Sequence, residues 1–336
     1  MTDKLKLFIV DDSAYIRNYL KSNLKDTFEI VGEAKDGVEA LKIVYSINPD
    51  IIVLDLMMPK MTGDAVAKAI MSTKPIPIIL LTSLTDAEIK KSFNLLENTV
   101  VDIIKKPIEL DENFIDNLKR KIKICANLKI NKVGETLAQA LTTPNIEHKS
   151  KYILTIGVST GGPKTLKNII PFLTSIKNLP LIVVQHIEPD FEAGYLNWIK
   201  DFSNKETVLI NKKLRLDDRL FICSPKFNVE IESKGETAYL FPVETTPNQL
   251  FFPSIDNIVS NIAYKLKNRL IHIQLTGLGN DGQHASNLVK KLGGIVIAQK
   301  PEAAIASSMP RAVMDIADYV LDLTQINEKI MEILRV

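Results

Sequence analysis

Cysteine is nearly absent: Cys125 and Cys223 are two in 336 residues, far apart and without metal-ligand spacing. That excludes a disulfide framework and a thiolate metal site, and suits reduced, packed thiols in a cytoplasmic protein. No apolar run is long enough to span a bilayer, so membrane insertion is not expected. Met1-Thr2-Asp3-Lys4-Leu5-Lys6 carries no hydrophobic signal core ahead of the first apolar run. Charge of one sign is not in excess either. Forty-two Lys and Arg against forty Asp and Glu leave a net charge of +2, which gives no basic field for nucleic acid. No solenoid-period repeat stands out. What is present is a chain 46% hydrophobic and 24% charged, globular and long enough for two domains of ordinary size.

The first half alternates buried-strand runs with helical patterns. Leu7-Phe8-Ile9-Val10, Ile51-Ile52-Val53-Leu54, Ile78-Ile79-Leu80-Leu81 and Val100-Val101-Asp102-Ile103-Ile104 read as strands, with helices over 37–47 and 86–96 and Ser13 as a helix cap. Strands apolar on both faces, separated by helices, predict a doubly wound parallel sheet. The functional crevice of such a sheet lies at the carboxyl ends of its strands. Asp11 and Asp12 follow the first strand, Asp55 the second, Thr82 and Ser83 the third, and Lys106 and Pro107 the last. Three converging carboxylates repel one another unless a hard cation such as Mg²⁺ neutralises them. A phosphoryl group on one carboxylate needs that metal, a hydroxyl donor and a lysine.

This constellation resembles the receiver domain of bacterial response regulators over about residues 4–126, which implies a receiver domain at 1–126. The resemblance implies that Asp55 accepts a phosphoryl group from a histidine kinase. It further implies that Asp11, Asp12, Asp55 and the Met57 carbonyl hold Mg²⁺, and that Thr82 and Lys106 contact the phosphoryl oxygens. Two positions depart from the receiver pattern: Ile103 stands where an aromatic switch residue is usual, and Asn98-Thr99 replaces a small Gly-Ala pair.

Residues 127–150 lose the strand pattern and read as a linker, with a short helix over 133–141. Strand runs resume at Ile153, Leu181, Leu270 and Ile295, which predicts a second, mostly parallel α/β domain over 151–336. Short alternating runs such as Arg219-Leu220-Phe221-Ile222 and Thr237-Ala238-Tyr239-Leu240 are expected to form antiparallel hairpins attached to it. Gly157-Val158-Ser159-Thr160-Gly161-Gly162-Pro163 follows the Ile153 strand, and Pro163 suits the first turn of a helix. A serine between glycines at a strand-to-helix turn is a place for a nucleophile beside an oxyanion hole. His186 and Asp281 also follow strand ends. Histidine takes a serine proton near neutral pH, and a carboxylate fixes its tautomer. Position alone leaves His186 open between base and structural histidine, and Asp281 between orienting acid and cap of the following helix. His272, inside an apolar strand, reads as core, His148 as solvated, and His284 as helix surface or pocket wall.

A longer series decides between them. The Ser159 turn, Gln185-His186, Pro253-Ser254-Ile255-Asp256, Leu275-Thr276-Gly277-Leu278-Gly279-Asn280-Asp281-Gly282, Gly293-Gly294 with Ala298-Gln299, and Met309-Pro310 resemble the chemotaxis protein-glutamate methylesterase family, CheB. The receiver-first order is similar too. The resemblance implies phosphorylation-activated hydrolysis of glutamyl methyl esters, and deamidation of glutamines, on chemoreceptors in the cytoplasm, with no cofactor in the esterase domain. Ser159 is then the nucleophile, His186 the base and Asp281 the orienting acid, with Thr160 and Leu278 as oxyanion candidates. The chain departs from the family pattern at Leu278, Ala285, Ser308 and Asn228. The alternative is a receptor-binding module without turnover. A DNA-binding regulator is disfavoured because no helix-turn-helix with a basic face follows the receiver. A nucleotide site is disfavoured because the Gly-x-Gly-x-x-Gly spacing is missing.

Overall fold

The computed structural model describes residues 4–83, 93, 101–107, 109–126, 146–147, 152–234, 237–245, 249 and 251–334. The helices expected over 86–96 (Phe93 apart) and 133–141, the Asn98-Thr99 pair and His148 lie outside them. The chain divides into two compact units, Met1–Leu137 and Ala138–Val336.

In the first unit, β1 (Lys6–Val10), β2 (Glu29–Ala34), β3 (Ile51–Asp55), β4 (Ile78–Thr82) and β5 (Asp102–Lys105) pair in the order β2-β1-β3-β4-β5, all parallel. The apolar runs of β1, β3 and β4 are buried throughout because helices cover a parallel sheet on both sides. β2 escapes a reading by apolar runs. It is an edge strand, interrupted by Gly32 and half-exposed, with Glu29 and Glu33 facing outward. Ser13 caps the Ala14–Leu24 helix, and Asp36 caps Gly37–Ile47 by accepting the Glu39 N–H at 2.9 Å. Strand order reverses between β1 and β3, and Asp11, Asp12 and Asp55 lie at that switch point.

The second unit contains β6 (Ile146–Glu147), β7 (Ile153–Val158), β8 (Ile176–Lys177), β9 (Leu181–Gln185), β10 (Thr207–Ile210), β11 (Leu214–Arg215), β12 (Leu220–Cys223), β13 (Asn228–Lys234), β14 (Thr237–Val243), β15 (Leu270–Gln274), β16 (Ile295–Gln299) and β17 (Tyr319–Leu321). Seven of them form a parallel sheet, β10-β12-β9-β7-β15-β16-β17. The antiparallel region is the three-stranded sheet β11-β14-β13, and β6 pairs with β8. One expectation is corrected. The Arg219-Leu220-Phe221-Ile222 run is not a hairpin arm: β12 sits parallel between β10 and β9. All four of its side chains are buried, which suits a strand covered on both faces.

The helix Ile255–Leu266 illustrates how pattern becomes packing. Ile255, Ile258, Val259, Ile262, Ala263 and Leu266 recur at helical spacing and are all buried. They join a core with Ile182, Val184, Phe221, Val229, Leu240 and Val289. The two cysteines are buried free thiols, one in each unit.

In the first unit, Gly63 opens a helix pressed against the strand that ends in Asp55. A Cβ at Gly63 would meet the Asp55 carbonyl oxygen and lie 2.8 Å from Leu56 Cα. Neither backbone atom can yield without moving β3. Gly63→Ala is therefore expected to destabilise the first unit by about 1–3 kcal/mol, seen as a lower unfolding midpoint by calorimetry.

Candidate active site

Parallel pairing places the carboxyl ends of β9, β7 and β15 side by side at one edge of the sheet. Val158 pairs with Gln185, and Gln274 with Gly157. Ser159 and His186 are each one residue past that edge. The His186 N–H donates to the Val158 carbonyl at 3.0 Å, and the Ser159 N–H to the Thr276 carbonyl at 2.9 Å. The Gln185 side-chain amide donates to the carbonyls of both Ser159 and His186, each at 3.0 Å. Ser159 and His186 are thus tied by backbone before the hydroxyl and the imidazole are considered.

Ser159 Oγ lies 3.1 Å from His186 Nδ1, and His186 Nε2 lies 2.8 Å from Asp281 Oδ2. With Nε2–H donated to the carboxylate, Nδ1 keeps the lone pair that faces the hydroxyl. The two ring nitrogens are used the other way round from the usual serine triad. Phe251 stacks on the imidazole, with centroids 5.1 Å apart and planes 8° from parallel. Its carbonyl accepts from Gln249 Nε2 at 2.7 Å. Gln249 Oε1 in turn accepts from Asn228 and Asn257. The departure at Asn228 therefore supports the residue that covers His186. Sequence reading missed Phe251 and Gln249, since no spacing rule points from that loop to the histidine.

Asp281 does not cap the helix that follows it. Its carboxylate accepts the N–H groups of Ile255 and Asp256, both at 2.8 Å, at the start of the Ile255–Leu266 helix. Ser254, the N-cap residue of that helix, accepts the Asn257 N–H at 3.2 Å. Burial alone would raise the Asp281 carboxyl. The hydrogen bond and charge of His186, with the two backbone N–H groups, outweigh it and lower the pKa. Asp281 is therefore an anion held at a helix N-terminus.

The turn after β15 lies directly against the serine. A Cβ at Gly277 would run into Met309 Sδ and lie 2.7 Å from Ser159 Cβ. The Gly277 N–H is spent on the Ala306 carbonyl and the Gly279 N–H on Ser308 Oγ. Among the described residues, the Leu278 N–H between them has no acceptor. Ser308, a departure from the family pattern, also donates to the Gly277 carbonyl. Ala285 packs in the core, and His284 is an exposed helix residue.

In the first unit, carboxylate oxygens of Asp11, Asp12 and Asp55 lie within 4.8 Å of one another. Lys106 Nζ is 2.7 Å from Asp11 Oδ2 and 3.1 Å from Asp55 Oδ1. Burial pushes the Asp55 carboxyl up to about 6; the ammonium opposes this and the Asp11 charge adds to it. Thr82 Oγ1 is buried without a hydrogen-bond partner among the described residues. Met57 is half-exposed, and its N–H donates to Asp55 Oδ1 at 3.4 Å. Ile103 is buried in β5.

A sequence model of the CheB methylesterase family matches residues 154–330. The chain belongs to the CheB methylesterase family. Residues 7–116 match the response regulator receiver domain. The protein-glutamate methylesterase/protein-glutamine glutaminase 1 of Carboxydothermus hydrogenoformans is 34% identical over 97% of this chain and 98% of its own. The corresponding Thermotoga maritima protein is 31% identical over 99% of this chain and 100% of its own. The crystal structure of the Thermotoga maritima CheB methylesterase catalytic domain covers 55% of this chain and 100% of its own, at 30% identity and a TM-score of 0.51. Among the described residues, no helix is long and apolar enough to cross a membrane.

Beneath Asp281, His272 is fully buried in β15, bonded through Nδ1 to Thr155 Oγ1 and through Nε2 to Gln274 Oε1. Gln274 Nε2 donates to the Asp281 carbonyl. Burial pushes the imidazole down to about 4 from 6.5. A lowered folded pKa gives stability that is complete above the unfolded value and is lost as pH falls toward the folded one. The loss is about 3 kcal/mol between pH 6.5 and 4. His272→Gln should remove that slope, so urea titrations across this window should show the variant losing about 3 kcal/mol less than wild type.

Proposed function

We propose that the chain hydrolyses glutamyl methyl esters, and deamidates specific glutamines, on chemoreceptors, by a Ser-His-Asp mechanism that phosphorylation of Asp55 activates. The observation that carries this reading is the continuous hydrogen-bonded path from Ser159 Oγ through His186 to Asp281. Ser159 Oγ attacks the side-chain acyl carbon while His186 Nδ1 takes its proton. As the tetrahedral intermediate collapses and the C–O bond (or the C–N bond of a glutamine) breaks, His186 gives that proton to the leaving oxygen or nitrogen, which departs as methanol or ammonia. Asp281 remains ionised and stabilises the imidazolium. Water enters through the same base and releases glutamate. The Leu278 N–H, which follows the Gly277 contact with Ser159 and has no acceptor among the described residues, is proposed as one oxyanion donor, and Thr160 as the second. The Ser159 N–H is already spent on Thr276 and does not serve.

For the receiver, Asp55 is the phosphoryl acceptor, a histidine kinase the donor and the cytoplasm the compartment. Asp11, Asp12, Asp55 and the Met57 carbonyl are proposed to hold Mg²⁺. The donor set fits: three carboxylates share a space of a few ångströms, and hard oxygen donors suit this ion. When bound, Mg²⁺ neutralises charge that would oppose phosphoryl transfer. Thr82, whose hydroxyl has no partner among the described residues, and Lys106, beside Asp55, are proposed to contact the phosphoryl oxygens.

Methanol release from methylated receptor tests the chemistry. Ser159→Ala is expected to lose roughly 10³-fold or more in rate. Equal rates would leave a binding module without turnover. For the control step, wild type should speed up with a small phosphodonor, whereas Asp55→Ala should keep a low basal rate and not respond. Continued stimulation of that variant would refute activation through Asp55.

A further inference from the structure

Asp256 lies in the first turn of the Ile255–Leu266 helix, in a motif whose other members already have work. Ser254 caps the helix, and Ile255 lends its N–H to Asp281. Asp256 makes contacts in both directions. Its N–H donates to Asp281 Oδ1 at 2.8 Å. Its own carboxylate accepts the Ala285 N–H at 2.7 Å, and the nearby Gly282 N–H favours its charged form. The two acids therefore exchange helices. Asp281, which precedes the Gln283–Lys291 helix, satisfies the start of Ile255–Leu266, while Asp256, inside that helix, satisfies the start of Gln283–Lys291.

The exchange closes a ring around the carboxylate that holds His186. A single tether from Asp281 to the Ile255–Leu266 helix would let its loop swivel about the contact. A second tether, running the opposite way and only four residues further on at Ala285, removes that freedom. It also places a second negative charge beside Asp281. Burial, and next the charge of Asp281 among the raising influences, lifts the Asp256 carboxyl above its ordinary range, while the two backbone N–H groups oppose the rise.

We propose that Asp256 is a positioning residue for the hydrolysis, acting through Asp281 to hold the His186 imidazole in line with Ser159. This rests on the reading of Ser159, His186 and Asp281 as a working triad.

The full chain with Asp256→Asn tests it. Asparagine has the same shape but removes the charge and puts an N–H₂ in place of one carboxylate oxygen, against the backbone N–H groups of the 282–285 turn. We expect kcat for methanol release to fall about tenfold with KM within twofold, measured well below the unfolding midpoint and normalised to labelled active sites. Labelling of Ser159 by a fluorophosphonate, which needs the activated hydroxyl but no receptor, should slow by a similar factor. In an Asp281→Asn background the added Asp256→Asn should change labelling by less than twofold, because a residue that acts through Asp281 has nothing left to act on. Wild-type labelling by Asp256→Asn, or an equal loss in both backgrounds, would overturn the proposal. A wild type that labels at Ser159 but releases no methanol would fault the esterase reading, with Asp256 still judged by labelling.

Discussion

A carboxylate that is 4% exposed cannot stay ionised without compensation, and the esterase unit is organised around supplying it to Asp281. The compensation comes from the first turn of the Ile255–Leu266 helix, whose N–H groups would otherwise lack partners. The same carboxylate fixes the orientation of His186, and the same helix supplies much of the apolar face of the core. Charge, helix cap and histidine tautomer are therefore one arrangement rather than three.

Both units solve the problem of convergence in the same way. A parallel sheet brings residues distant in sequence to one edge, and reversal of strand order opens a crevice there. In the first unit the crevice collects Asp11, Asp12, Asp55, Thr82 and Lys106. In the second it lies where β7 meets β9 on one side and β15 on the other. The chemistry differs because one edge carries clustered carboxylates and a lysine, and the other a hydroxyl, an imidazole and one buried acid. Polar residues beneath the second edge, Gln185, His272 and Gln274, bind backbone carbonyls and one another.

Much of this was legible in the linear chain. Continuous apolar runs marked β1, β3, β4, β7, β9, β15 and β16, because strands covered on both faces need such runs. Polar residues immediately after those runs marked the site, because a strand must end before a side chain can enter the crevice. Short and edge strands were not legible. β2 carries glutamates on its exposed face, and β12, although fully apolar, looks like a hairpin arm until its neighbours are known. Phe251 over His186, Gln249 behind it and Ser308 on the Gly277–Gly279 turn were likewise invisible as contacts. Phe251 and Gln249 act through a loop whose path no local rule predicts, and Ser308 acts from the start of a helix distant in sequence.

The amino-acid sequence by itself determined the α/β class and which residue types stand at which strand ends, since both follow from hydrophobic periodicity and from turn-forming glycines. It also singled out the serine, histidine and aspartate as a possible set. Only the tertiary structure decided what Asp281 does with its second oxygen. Adjacent sequence makes it a natural cap for the helix it precedes, yet the three-dimensional neighbour is the start of the Ile255–Leu266 helix, and Asp256 returns the contact to Gln283–Lys291. The physical reason is that helix N-termini need acceptors whatever their origin, and packing, not chain order, determines which carboxylate arrives.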